Sequence, residues 1–305
     1  MTVAVLTATC SNPLDICSPQ ESDLSFFSKG DCIMTRSSFF QGHEWLTVFG
    51  NADLPADDRF SPSEIHAIAE GNRRVDWPKE LLVHLNVSLF AYISAVTEYT
   101  DRNDVQKLHF LLTDANGSRE AAADSQAAIR EFTKAAARDW IANRARALAF
   151  LGKANHILQD SFSEAHTFRE REHAERPWCI VRVKSFTPRR AGHETYADGS
   201  PVLFHGGSTD DDGNRLTDDS IGHTTTEDSI YREGRDCNDP TTRGHIENCL
   251  NDHAQRARLA TKDYLAAVRR ILKGAASVVD PDALVDQEID AYITEHLSLC
   301  PDAPN

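Results

Sequence analysis

The longest coherent pattern of apolar and polar positions runs from residue 118 to residue 166. There "EAAADSQAAIREFTKAAARDWIANRARALAFLGKANHI" is Ala-rich, free of proline and spaced for helix. Its length allows one long helix or two. Upstream, "SPSEIHAIAEGNRRVDWP" carries a three-part start signal: Ser61 as N-cap, Pro62 at the first helical position and Glu64 closing a capping box. Pro78 restarts a helix in "PKELLVHLNVSLFAYISAVTEY", whose apolar residues are dense enough for a buried element. Helical spacing returns in "NDHAQRARLATKDYLAAVRRILKGAA" and "DPDALVDQEIDAYITEHL".

Strand patterns are few. Residues 1–35 show no clear periodicity and read as an irregular N-terminal arm. Between 176 and 222, "CIVRVKSF" and "PVLFH" read as short strands, and "HGGSTDDDGNRLTDDSIG" as a loop rich in Gly and Asp. No internal repeat and no long linker divides the chain. The expected fold class is all-α, a single multi-helix domain over residues 36–305 with an irregular insertion at 176–222 that carries the short strands.

Composition adds bounds. With 305 residues, 40% hydrophobic and 26% charged, the chain is of ordinary globular type and can bury a sizeable core. It has no run of 18 apolar residues, so no transmembrane segment is expected. The first residues lack a basic n-region and a sustained apolar stretch, so they do not read as a signal peptide. Localisation stays open between the cytoplasm and a signal-less route of export. A formal charge of -15 argues against a surface that tracks phosphate backbones, and no nucleic-acid partner is expected. It suits a neutral or cationic ligand, or bound cations that offset part of the acid. Seven cysteines, an odd number without a CxxC, define no disulfide framework.

The chemistry concentrates in "GKANHILQDSFSEAHTFRE", residues 152–170. On a helix His156 and Asp160, four apart, project side by side, Glu164 extends the row, and His166 follows. An imidazole and a carboxylate one turn apart make half of a metal site. Further candidate ligands are His43 in "QGHEWLT", Asp76 in "GNRRVDWP", His109 in "KLHFLLTD", and His223 with Glu227 in "GHTTTED". Each has a plainer reading. His109 suits a satisfied core histidine, Asp76 a cap for the helix near Pro78, and Glu227 the acid of a capping box begun by Thr224. The loop "STDDDGNRLTDD" reads as solvated acid rather than a calcium loop, because Ser208 occupies the first ligand position.

Considered together, the eight candidates resemble the zinc-dependent phospholipase C family of bacterial phosphatidylcholine-hydrolysing enzymes and the clostridial alpha-toxin catalytic domain. The resemblance centres on HxxxDxxxxxH, matched by His156, Asp160 and His166, with "GHEWLT", "GNRRVD" and "LHF" upstream in the family's order. It implies zinc, two or three ions. Asp76, His109, His156 and Asp160 would hold the first, and His166, His223 and Glu227 the second. His43 and the other oxygen of Asp160 would hold the third. Two departures stand out: His43 is preceded by 42 residues where the family uses a terminal tryptophan amine, and His166 and His223 are 57 positions apart.

The implied activity is hydrolysis of phosphatidylcholine-type phospholipids, at a membrane surface or in micelles, to diacylglycerol and a phosphorylated head group. The attacking group would be a zinc-bound hydroxide. Asp76 would double as catalytic base, and Trp77 would lie against the choline, where cation–π attraction is worth about 0.5–2 kcal/mol. Two alternatives remain: a zinc-dependent single-strand nuclease or phosphodiesterase on the related fold of fungal zinc nucleases, and a non-catalytic metal-stabilised binding protein.

Overall fold

Seven α-helices, two short 3-10 turns (one of them Ala56–Asp58) and one two-stranded hairpin make up the regular structure among the described residues. The structure, a computed structural model, describes residues 42–76, 102–112, 117–163, 166–185, 250, 252–275 and 280–303, with the backbone alone for Gly42, Trp45, Asp76, Asn103 and Ala275. In chain order these are α1 (Gly42–Ala52), α2 (Pro62–Asp76), a short α3 (Asn103–Gln106) running into a 3-10 turn (Lys107–His109), α4 (Ser118–Asp139) and α5 (Arg144–Asp160). Then follow β1 (Thr167–Glu170), β2 (Cys179–Val183), α6 (Asp252–Ala275) and α7 (Pro281–His296). The mainly helical expectation holds. The arm at 1–35, the helix expected after Pro78, "PVLFH" and the Asp-rich loop lie outside the described residues.

Local signals account for several helix starts. Ser61 N donates to Glu64 Oε2 at 2.9 Å and Glu64 N to Ser61 Oγ at 3.4 Å, the reciprocal pair that opens α2. The Asp280 side chain accepts from the backbone N–H groups of Asp282 and Ala283 ahead of Pro281, which opens α7.

The stretch 118–166 resolves into two helices. Asn143 breaks it, its side chain accepting from Arg146 N to cap α5. The second helix ends at Asp160, earlier than the pattern predicts. Ser161 Oγ donates to Leu158 O at 2.6 Å, and Phe162 N and Ser163 N turn back to Gln159 O and Asp160 O. Serine hydroxyls compete with the helix ladder in this way, and the chain leaves the helix before His166.

α5 packs against α2, α4 and α6. Its Leu151, Ala154, Ile157 and Leu158 are fully buried, and so are Ala121, Ala122 and Ala136 of α4. Small residues set the closest crossing. A Cβ at Gly71 would lie 2.8 Å from Ala149 Cα, and one at Gly152 would run into Ile68 O and Asn72 N. This pair of glycines lets the backbones of α2 and α5 touch.

β1 and β2 pair antiparallel with an irregularity between Phe168 and Arg169. The described part of the 176–222 stretch is integral to the core, since Ile180 and Val183 are fully buried. Cys179 and Cys300 form a disulfide across a separation of 121 residues, beside a bridge between Ile180 and Leu299. In the chain-entropy picture a loop of that size contributes about 5 kcal/mol. The pairing was not legible in the cysteine spacing, because it depends on the C-terminal tail lying along the hairpin. No helix among the described residues is long and apolar enough to cross a membrane.

Candidate metal centre

Asp160 is the last residue of α5 and His156 lies one turn before it, so the spacing of four puts both side chains on one face. That face is turned into the protein, and three further segments bring imidazoles to it. His43 comes from the first turn of α1, His109 from the 3-10 turn, and His166 from the turn before β1. All five side chains are buried.

The carboxylate of Asp160 is the hub. Its Oδ1 lies 3.1 Å from His43 Nε2. Its Oδ2 lies 3.0 Å from His156 Nε2, 3.1 Å from His109 Nδ1 and 3.7 Å from His166 Nδ1. Burial opposes ionisation of Asp160, but the imidazoles of His156, His166 and His43 and the hydrogen bond from His109 outweigh it. The carboxyl is held well below the usual carboxylate range.

The backbone is shaped to present these groups. Phe110, buried behind His109, adopts a left-handed conformation with φ 52°, uncommon for a bulky residue. The turn is fixed on both sides: Leu112 N donates to Lys184 O, Lys184 N to His166 O, and His166 Nδ1 lies 2.5 Å from His109 O. Backbone strain of this kind costs roughly 1–3 kcal/mol and persists where surrounding structure over-determines it. Behind Asp160 the buried Arg169 donates to Ser161 O at 2.7 Å, Trp178 O at 2.6 Å and His296 O at 3.1 Å. Two helix ends, those of α5 and α7, thus turn carbonyls toward one guanidinium, a favourable arrangement for a cation. Burial, reinforced by Arg256, pulls Arg169 down to about 9.

Five of the eight sequence candidates therefore meet at one point: His43, His109, His156, Asp160 and His166. Asp76 ends α2, one turn after Asn72, and its side chain is outside the described part. Trp77, His223 and Glu227 also lie outside the described residues. His43, His156 and Asp160 place donor atoms within 4.8 Å of one another and could hold a metal ion. No family model, no curated protein and no solved structure matches the chain. Its functional reading therefore rests on the sequence resemblance and on the chemistry of the centre.

Sequence reasoning missed the polar side chains behind the ligands. His43 Nδ1 lies 2.9 Å from Gln159 Oε1, and His156 Nδ1 lies 2.9 Å from Asn72 Oδ1. A signal was available. Asn155–His156 and Gln159–Asp160 repeat a pair of polar residues at a step of four inside an otherwise oily turn, and Thr47 follows His43 by four. A second cluster, Asp263, Glu295 and His296, gathers on α6 and α7. It is closer to the surface and reads as an ion-pair group, with His296 Nε2 3.3 Å from Asp263 Oδ2 and Lys262 Nζ 3.6 Å from Asp263 Oδ1.

Proposed function

We propose that this chain is a zinc-dependent phosphodiesterase of the phospholipase C type. It would hydrolyse phosphatidylcholine-type phospholipids to diacylglycerol and a phosphorylated head group. The observation that carries this reading is the convergence of four imidazoles on the buried carboxylate of Asp160. Imidazole and carboxylate donors suit zinc. Two donors on a tetrahedral ion with bonds of 2.0–2.1 Å lie about 3.3 Å apart. The contacts of 3.0–3.1 Å around Asp160 are close to that spacing.

The two oxygens of Asp160 face different partners, His43 on one side and His109 with His156 on the other, which suits a carboxylate shared between two ions. His166, with His223 and Glu227, would serve a further ion. Bound zinc would supply Lewis acidity toward a phosphoryl oxygen and a lowered pKa for water. Asp76, delivered by the helix that also carries Asn72, is the proposed base. It would take the proton of the attacking water as a P–O bond forms and the bond to the glycerol oxygen breaks. Trp77 would face the cationic head group. The balance of -15 supports a substrate with a cationic end over a polyanionic strand.

The test is metal analysis combined with turnover of a phospholipid panel and of single-stranded DNA. Zinc should be present at two or three equivalents, and chelation should abolish head-group release until zinc is returned. Turnover that survives exhaustive demetallation would refute the zinc reading. Cleavage of DNA alone would move the protein to the nuclease alternative, and retained zinc with neither activity would leave a binding protein.

A further inference from the structure

We infer that Thr47 is a positioning residue that decides which ring nitrogen of His43 and of His156 carries a proton. The inference rests on the metal reading above.

Thr47 is fully buried on α1, and its hydroxyl oxygen has four polar neighbours. One is the backbone carbonyl of His43, 2.8 Å away. A carbonyl can only accept, so the single hydroxyl proton goes there. The others are side-chain amides: Asn155 at 2.7 Å, Gln159 at 3.2 Å and Asn72 at 3.3 Å. With its proton spent, the oxygen can only accept from them. Its two lone pairs serve the two nearer amides, Asn155 and Gln159, and Gln159, its nitrogen so turned to Thr47, presents its oxygen to Asn72 Nδ2 at 3.0 Å.

The consequence passes through the two amides that touch the histidines. With its nitrogen on Gln159 Oε1, Asn72 presents its oxygen to His156 Nδ1, and Gln159 presents that same Oε1 to His43 Nδ1. Gln159 is held the same way from α6, where its Nε2 donates to Thr261 Oγ1 at 3.1 Å. An amide oxygen can only accept, so a ring nitrogen facing one at 2.9 Å carries hydrogen, and both Nδ1 atoms do. In the neutral rings both Nε2 atoms then present lone pairs, and both face Asp160. A lone pair aimed at a carboxylate at that distance is unfavourable until a positive charge, a second ring proton or a metal ion, lies between them, and His156 Nε2 also has His109 Nδ1 3.1 Å away. One hydroxyl proton on α1 thereby readies two nitrogens for a metal. If the amides turned over, the protons would move to Nε2 and occupy the place of the ion.

The experiment compares wild type, Thr47→Ser and Thr47→Val. Zinc affinity is measured by competition with a chromophoric chelator, and ring protonation by NMR of protein labelled with 15N-histidine. Wild type and Thr47→Ser should show protonated Nδ1 on both rings and affinities within about threefold. Thr47→Val should lose about 10–100-fold in affinity, as loss of a partner that orients a ligand does, and its rings should show mixed tautomers. Valine with wild-type affinity and tautomers would overturn the inference. Should valine prevent folding, Thr47→Ala provides the same comparison, and unprotonated Nδ1 in the wild type alone overturns it. Wild type without zinc would instead refute the metal reading, and ring protonation of the metal-free protein would still decide this inference.

Discussion

Among the described residues, two polar seams between helices repeat every four residues. On the solvent side, Arg130, Lys134 and Arg138 of α4 meet Asp290, Asp286 and Asp282 of the antiparallel α7. Inside, His43 and Thr47 of α1 meet Asn72 of α2 and the pairs Asn155–His156 and Gln159–Asp160 of α5. The periodicity is the same and the chemistry is not. Where water reaches, charges pair one to one, each pair is weak, and each can be lost alone. Where water is excluded, every polar atom needs a partner, and uncharged amides and a hydroxyl become directional. Burial turns a repeat of four from a ladder of independent contacts into a circuit that one group can set.

The sharpest way to break this contrast is at its centre. Asp160→Asn keeps the shape and removes the charge that four imidazoles share. Zinc affinity is expected to fall by more than about 100-fold, beyond the range for ligand-orienting partners, and head-group release to fall with it. His223→Ala, which touches one proposed ion where Asp160 serves two, should cost less. Metal titration and single-turnover assays check the order. Small and equal losses would show that the buried seam is only packing.

A second break acts on the backbone beneath the seam. Gly152→Ala puts a methyl against Ile68 O and Asn72 N, where rigid backbone must move. The expected destabilisation is about 3 kcal/mol, the upper part of the range for overpacking. It should appear in denaturant midpoints and bring a loss of zinc affinity, since the same shift parts His156 from Asn72. An unchanged midpoint would mean that the α2–α5 crossing tolerates separation.

These sites also mark what was legible in the sequence. A start written in a few adjacent residues, such as Ser61-Pro62-Ser63-Glu64, could be read directly, because capping is local, whereas at Asp280-Pro281 only the helical spacing that follows was read. His156 and Asp160 could be read because a helix turns four residues into one face, and His43 and His109 through the family resemblance. The end of α5 could not, because Ser161 and Ser163 act only once the chain has turned. Thr47, Asn72 and Gln159 look like ordinary polar residues until Gly71 and Gly152 bring α2 and α5 together beside the Thr47 hydroxyl of α1. The Cys179–Cys300 pair depends in the same way on two distant segments meeting.

The smallest expected effect lies on the exposed seam, and it tests the other half of the contrast. Arg138 Nε donates to Asp282 Oδ1 at 3.0 Å, with much of the pair in solvent. The hydrogen bond from Arg138 holds the Asp282 carboxyl below its ordinary value, although burial works the other way. A carboxyl depressed in the folded state contributes stability that is fully present above its unfolded pKa, about 3.9, and is lost as pH falls through the folded value. Arg138→Gln should therefore lower stability by about 0.2–1 kcal/mol at neutral pH, as for exposed pairs generally. The difference from wild type should shrink below about pH 4 and in high salt, where exposed charges are screened. Zinc affinity should not change. Chemical denaturation at pH 7 and pH 3, with zinc competition alongside, makes the comparison. If removing this one charge lowered zinc affinity as Thr47→Val is expected to, the two seams would be coupled and the division between ladder and circuit would fail.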